Sequence, residues 1–328
     1  MREFDLLSDI ADASREPSSI RTGIGDDAAV LAEAADLVTT DALVEGVHFD
    51  LDWCSPADVG WRALAASLSD IAAMGGKPGP FVTSLAAGEG RAAAFSTEMV
   101  AGMGDAADAL ASDFDVGPVG GDLVSTSGPM TISVALLGCT EGVEPVLRGG
   151  ADPGDRVFLS GYPGRSAAAL RILDGEWEDP GSDASLLDAY RRPTARCDLG
   201  RRVAAEEAAS AMIDVSDGLV ADLGHVCDSS GVGARVELDD IPVDPRLERL
   251  QTEQGADVDA CLLTGGEDFE LLLTVPSDRV DRLEAVADAE DWRLTDIGVI
   301  VESPRGVDVL GRDGEPLALD DGGFEHAF

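Results

Sequence analysis

Pro56-Ala-Asp-Val-Gly-Trp-Arg-Ala-Leu-Ala-Ala-Ser-Leu-Ser-Asp-Ile-Ala-Ala-Met74, followed by Gly75-Gly-Lys-Pro-Gly-Pro and then Phe81-Val-Thr-Ser-Leu85, decides the fold. Val59, Ala63, Ala66, Asp70 and Met74 recur at helical spacing, and apolar residues fill one broad face. The glycine and proline cluster stops the helix, and the short β-leaning run after it reads as a strand. Outward from this unit, Leu37–Thr40, Met130–Leu137, Arg156–Ser160, Met212–Val215 and Glu270–Val275 read as further strands. Ala92–Ala111 and Ala195–Ala211 read as alanine-rich helices, and Asp217–Ser229 follows a strand directly as a fourth. Such alternation predicts a mixed α/β (α+β) sandwich.

At 328 residues the chain has room for two domains of ordinary size. The boundary is expected in Glu141–Asp155, which holds two prolines and four glycines between two apolar strands. A loose echo links the halves, each of which sets Ser-Asp or Gly-Asp after a strand.

Charge narrows the function. With 64 Asp and Glu against 23 Lys and Arg, the formal net charge is −41. That excludes a nucleic-acid-coating protein and charge-driven adhesion to anionic membrane. Lys77 is the only lysine, a composition expected of a protein adapted to concentrated salt, where carboxylate repulsion is screened. Cys54, Cys139, Cys197, Cys227 and Cys261 are scattered without a C-x-x-C pair, as in a reduced cytoplasmic protein. The acidic N-terminal residues do not read as a signal peptide, and no apolar run is long enough to span a bilayer.

The candidate site rests on aspartates beside glycine, serine or threonine: Gly25-Asp-Asp27, Thr39-Thr-Asp41, Ser69-Asp70, Gly120-Gly-Asp122 and Asp214-Val-Ser-Asp217-Gly218. Most aspartates in so acidic a chain are solvated or cap helices. Asp70, however, interrupts an apolar helix, and Asp41 and Asp214 follow Leu-Val-Thr-Thr and Ala-Met-Ile. Carboxylates in such places need cationic partners. With lysine nearly absent, hard all-oxygen ligands favour Mg²⁺ over zinc. Several Mg²⁺ ions suit a polyphosphate substrate. The sole lysine lies in Gly76-Lys-Pro78, so neither a Walker loop nor a protein-kinase site is present.

These strings, together with Gly23-Ile-Gly-Asp-Asp-Ala-Ala-Val30, His48-Phe49, Arg148-Gly-Gly-Ala-Asp-Pro-Gly-Asp155 and Leu263-Thr-Gly-Gly-Glu-Asp-Phe-Glu-Leu271, resemble the thiamine-monophosphate kinase family. The resemblance runs in order from about Phe4 to Phe324. It implies a two-domain fold shared with aminoimidazole ribonucleotide synthetase: 1–145 for ATP and Mg²⁺ binding and dimerisation, and 146–328 completing the site. It also implies a homodimer whose N-terminal domains contribute strands to a shared barrel. The implied reaction is ATP-dependent phosphorylation of thiamine monophosphate to thiamine diphosphate, with several Mg²⁺ ions and K⁺ as a candidate monovalent ion. Asp27, Thr39, Thr40, Asp41, Asp70, Asp122, Asp214 and Asp217 fall on the family's magnesium positions. Gly121, Asp122, Arg148 and Ser216 fall on ATP positions, and His48, Glu267 and Phe324 on acceptor positions. The acceptor is an anionic phosphate, so no side chain is assigned as general base. The alternatives are another ATP-dependent enzyme of the superfamily and a non-catalytic acidic metal-binding module. Against them, no lysine precedes Lys77 and no D-x-[DN]-x-[DN]-G loop occurs.

Overall fold

The computed structural model describes residues 20–22, 29–31, 37–88, 92–181, 186–302 and 306–318. Strands β1 (Ile20–Thr22), β2 (Ala29–Leu31), β3 (Leu37–Val44), β4 (Lys77–Ala87), β5 (Gly117–Ser125) and β6 (Thr131–Cys139) form one sheet. Its order is β1-β2-β3-β6-β4-β5, antiparallel except for the parallel β4–β5 pair. Strands β7 (Arg156–Ser160), β8 (Ala211–Asp214), β9 (Gly233–Glu237), β10 (Leu271–Val275), β11 (Leu294–Val301) and β12 (Gly306–Leu310) form a second sheet, ordered β12-β9-β11-β7-β10-β8.

Helices α1 (Pro56–Ala73) and α2 (Ala92–Leu110) cover one face of the first sheet. Helix α1 starts on a capping box: Ser55 Oγ accepts from Asp58 N, and the Asp58 carboxylate accepts from Ser55 N. It stops at Gly75, whose φ of 68° belongs to the left-handed region. A Cβ on Gly102 would lie 2.0 Å from the Ala57 carbonyl oxygen, so glycine lets α2 meet α1 backbone to backbone. The covered sheet face carries Leu37, Leu43, Ile132, Val134, Leu136, Phe81 and Leu85, all buried.

The second sheet is accompanied by α3 (Arg165–Leu173), α4 (Leu187–Arg191), α5 (Cys197–Ala205), α6 (Leu219–Ser230), α7 (Pro245–Gln254), α8 (Val258–Thr264) and α9 (Val280–Glu290). Helix α1 joins the two halves, packing on β3 and β6 and also on α5 and β8. No described helix is long and apolar enough to cross a membrane.

One expectation is revised. Ala195–Ala211 is not one helix: α5 ends at Ala205, Glu207 turns with φ of 50°, and Ala211 opens β8. Alanine favours helix, but pairing of Ala211–Asp214 with Leu271–Thr274 overrides that local preference. The run Gly120-Gly121-Asp122 lies within strand β5.

Candidate active site

Register places Thr39 and Asp41 of β3 on the helix-covered face, in the alternation that also points Leu37 and Leu43 inward. Helix α1 meets them there. Thr39 Oγ1 donates to Asp70 Oδ2, and Ser67 Oγ donates to Asp41 Oδ2 at 3.0 Å. One turn of the same helix reaches the other domain: Ser69 Oγ donates to Asp214 Oδ2, at the end of β8, at 2.6 Å. Residues 39, 41, 67, 69, 70 and 214 are thereby gathered from two domains around one helix. Burial raises the Asp41 carboxyl above its usual range, against hydrogen bonds from Ser67 and Asp70 that lower it. Without a cation this group is held toward its protonated form.

The loop after β8 adds a second layer. Asp222, 2% exposed, accepts the backbone N–H groups of Ser216, Asp217 and Gly218 at 3.0–3.1 Å, which fixes the loop at the start of α6. Burial first, and the neighbouring Asp217 and Asp214 second, push the Asp222 carboxyl well up. Ligand atoms of Asp217, Asp222 and His225 lie within 4.8 Å of one another.

A cavity of about 420 Å³ opens beside these acids, lined in part by Thr40, Asp41, His48, Ser216, Asp217 and Glu267. His48 Nδ1 accepts from Val44 N at 3.1 Å, so a neutral ring carries its proton on Nε2. Glu267 sits at φ of 61°, in the left-handed region, with its N–H donating to the Ser216 carbonyl at 2.7 Å. A Cβ on Gly266 would lie 2.4 Å from that same carbonyl oxygen, which is why glycine precedes Glu267.

The glycine turn Gly161–Ser166 imitates a phosphate loop, but the protein supplies its own anion. Asp268 accepts from Gly164 N at 2.5 Å and from Ser166 N at 3.0 Å, and burial pushes its carboxyl up to about 7.

Asp122 and Gly121 are not brought to this group within one chain. Three strand spacings, roughly 14 Å, separate β5 from β3. Asp122 also pairs in register with Ser84, on the sheet face opposite Asp41. Arg148 lies half-buried in the interdomain segment, where the neighbouring Leu147 carbonyl accepts from Met212 N of β8. Asp27 and Phe324 lie outside the described residues. Sequence reasoning missed Ser67, Ser69, Asp222, Arg62 and Tyr190. Arg62, a charged residue within Gly60-Trp-Arg-Ala-Leu-Ala65, was the one local signal among them.

The donor set of Asp41, Asp70, Asp214 and Asp217 is entirely oxygen, its inner members are buried or half-buried, and hydroxyls are their hydrogen-bond donors. That chemistry fits Mg²⁺.

Residues 25–140 match the family described as AIR synthase related protein, N-terminal domain, and residues 152–310 match its C-terminal domain. The chain is thus built as a two-domain AIR synthase related protein. It is 36% identical to the thiamine-monophosphate kinase of Salmonella typhimurium, over 99% of this chain and 98% of that one. With the Bacillus subtilis thiamine-monophosphate kinase the identity is 33%, over 99% of each. A solved structure described as AaThiL complexed with AMPPCP and TMP matches with a TM-score of 0.84 at 33% identity, covering 99% of this chain and 97% of that one. The chain belongs to the thiamine-monophosphate kinase family.

Proposed function

We propose that this chain transfers the γ-phosphoryl group of ATP to the phosphate of thiamine monophosphate, releasing thiamine diphosphate and ADP. The observation that carries the reading is that helix α1 holds Asp41 beside Asp70 through Ser67 and holds Asp214 of the other domain through Ser69, while Asp41 and Asp217 line a cavity with His48 and Glu267. Full-length similarity to thiamine-monophosphate kinases supports the same conclusion.

Asp41, Asp70, Asp214 and Asp217, with Asp27, Thr39, Thr40 and Asp122, are the residues proposed to hold Mg²⁺. When bound, the metal neutralises phosphate charge and aligns donor with acceptor. The chain's own part is to keep these carboxylates in place through Ser67, Ser69 and Thr39. Gly121, Asp122, Arg148 and Ser216 are assigned to the nucleotide, and His48, Glu267 and Phe324 to the acceptor. A phosphate monoester is already ionised near neutral pH, so no side chain has to remove a proton from it. Transfer is direct, with no phosphorylated aspartate.

The finer features have separate support. A division at residues 145/146 agrees with two sheets built from residues 20–139 and 156–310. A homodimer is supported by the face and edge of the first sheet that no described helix covers, where Val82 is 43% exposed, Val119 70% and Val124 45%. An apolar edge of this kind calls for a partner. Asp122 lies on that same face, which supports a nucleotide site shared between copies. Free thiols suit a reducing cytoplasm, and the −41 charge suits a salt-rich one. K⁺ is kept as a candidate activator, tested by exchanging KCl for NaCl at constant ionic strength.

The test is ADP release in molar KCl with ATP and MgCl₂. Release that depends on thiamine monophosphate and is matched by thiamine diphosphate supports the assignment. Release indifferent to the acceptor, or none, contradicts it.

A further inference from the structure

Arg62 lies on α1, a helix of the first domain, yet it is 2% exposed and its contacts are in the second domain and at the cavity rim. Its Nη2 donates to Glu267 Oε1 at 2.8 Å and to the His48 carbonyl at 3.0 Å. Its Nη1 donates to the Tyr190 carbonyl. The guanidinium carbon sits 4.0 Å from the centroid of the Tyr190 ring, whose hydroxyl donates to the same His48 carbonyl at 3.1 Å. One planar side chain thus ties together both described residues assigned to the acceptor, one from each domain.

A merely structural role explains this poorly. Burying a guanidinium carries a desolvation cost that an apolar side chain of similar length avoids, and buried ion pairs seldom raise net stability. Among the described residues, Arg62 Nε is a buried side-chain nitrogen with no hydrogen-bond partner. Glu267 is held against a conformational preference of its own, since its backbone φ is 61°. Its side chain is still 32% exposed and lines the cavity, with one carboxylate oxygen taken by Arg62. Such an arrangement aims a carboxylate at a ligand.

We propose that Arg62 is a positioning residue for the acceptor: it clamps Glu267 Oε1 and the His48 backbone, so that Glu267 Oε2 is presented at a fixed angle to the cationic and amine-bearing end of the acceptor. The inference rests on the acceptor reading given above. Thiamine monophosphate carries a permanently charged thiazolium and an exocyclic amine, both complementary to a fixed carboxylate oxygen. Arg62 fits the task better than lysine would, because its planar fork serves three acceptors at once while the ring of Tyr190 holds its plane.

Steady-state kinetics on the full chain with Arg62→Lys, Glu267→Gln and the double variant tests this. Arg62→Lys is expected to raise KM for thiamine monophosphate about tenfold, with kcat and KM for ATP within about twofold of wild type. Glu267→Gln should raise the same KM, and the double variant should be no worse than the more affected single one, because Arg62 acts through Glu267. Glu267→Asp, which keeps Arg62 but shortens the reach of the carboxylate, should reproduce the selective KM effect. Multiplicative effects in the double variant would overturn the proposal. So would an equal rise in KM for ATP, or a fall in kcat with acceptor KM unchanged. Wild-type turnover of thiamine monophosphate separates the two readings: its absence defeats the assigned reaction, whereas its presence with an unmoved acceptor KM in Arg62→Lys defeats only the role of Arg62.

Discussion

Asp41→Asn isolates the electrostatic role of the acidic cluster from its packing role. The substitution is nearly isosteric, and the amide can still accept from Ser67 Oγ, which lies 3.0 Å from Asp41 Oδ2. What it removes is a carboxyl that burial holds above its ordinary range. A group whose folded value is raised contributes stability below its unfolded value and loses it as pH rises through the folded one. At pH 7.5 without Mg²⁺, Asp41→Asn should therefore unfold at or above the wild-type temperature. Saturating Mg²⁺ should reverse the order. At a concentration one hundred times Kd, a ligand specific to the folded state contributes about 2.7 kcal/mol. At about 1.5 °C per kcal/mol for a chain of 328 residues, wild type should gain roughly 4 °C and the variant little. Thermal unfolding in 1 M KCl, with and without MgCl₂, reads this out, because a Debye length of about 3 Å suppresses general screening by the added divalent salt. A full Mg²⁺ shift in the variant, or none in wild type, would refute the placement of the metal at Asp41.

Three further outcomes follow. Wild type should melt at a clearly lower temperature in dilute buffer than in molar KCl, because a net charge of −41 is then unscreened; equal melting temperatures would contradict the salt-adapted reading. Asp268, raised to about 7 by burial, contributes its stability fully below about pH 4 and loses it as pH rises through about 7. Denaturant unfolding should accordingly fall by at most about 4 kcal/mol over that window relative to Asp268→Asn, and parallel pH profiles would exclude the effect. Asp122→Ala should abolish turnover while leaving the melting temperature unchanged, since the side chain is exposed on strand β5; most of the activity surviving would remove Asp122 from the site.

The central helix, the main strands and the aspartates that meet around α1 were legible in the sequence because each depends on local pattern. Pro56–Met74 announces its own apolar face and stop, and Asp70 stands out as an acid on that face. The parts that were not legible depend on pairing between distant segments. Asp122 reads like the other Gly-Asp pairs, yet strand register sets it on the opposite sheet face from Asp41. The Arg62–Glu267 contact spans 205 positions. Ser69 carries no local sign of its partner, because Asp214 is brought against it only by the packing of β8 on α1. The Gly161–Ser166 turn has the composition of an anion loop, and only the fold reveals that Asp268 already occupies it.

Equilibrium dialysis with Mn²⁺ as a stand-in for Mg²⁺ tests most directly whether these acids exist to hold cations between two phosphorylated molecules. Wild type should bind the ion weakly alone, and more tightly and in greater number once AMPPCP and thiamine monophosphate are both present, with Asp214→Ala losing that gain. Binding that is identical with and without the two ligands, or a gain that survives Asp214→Ala, would contradict the account.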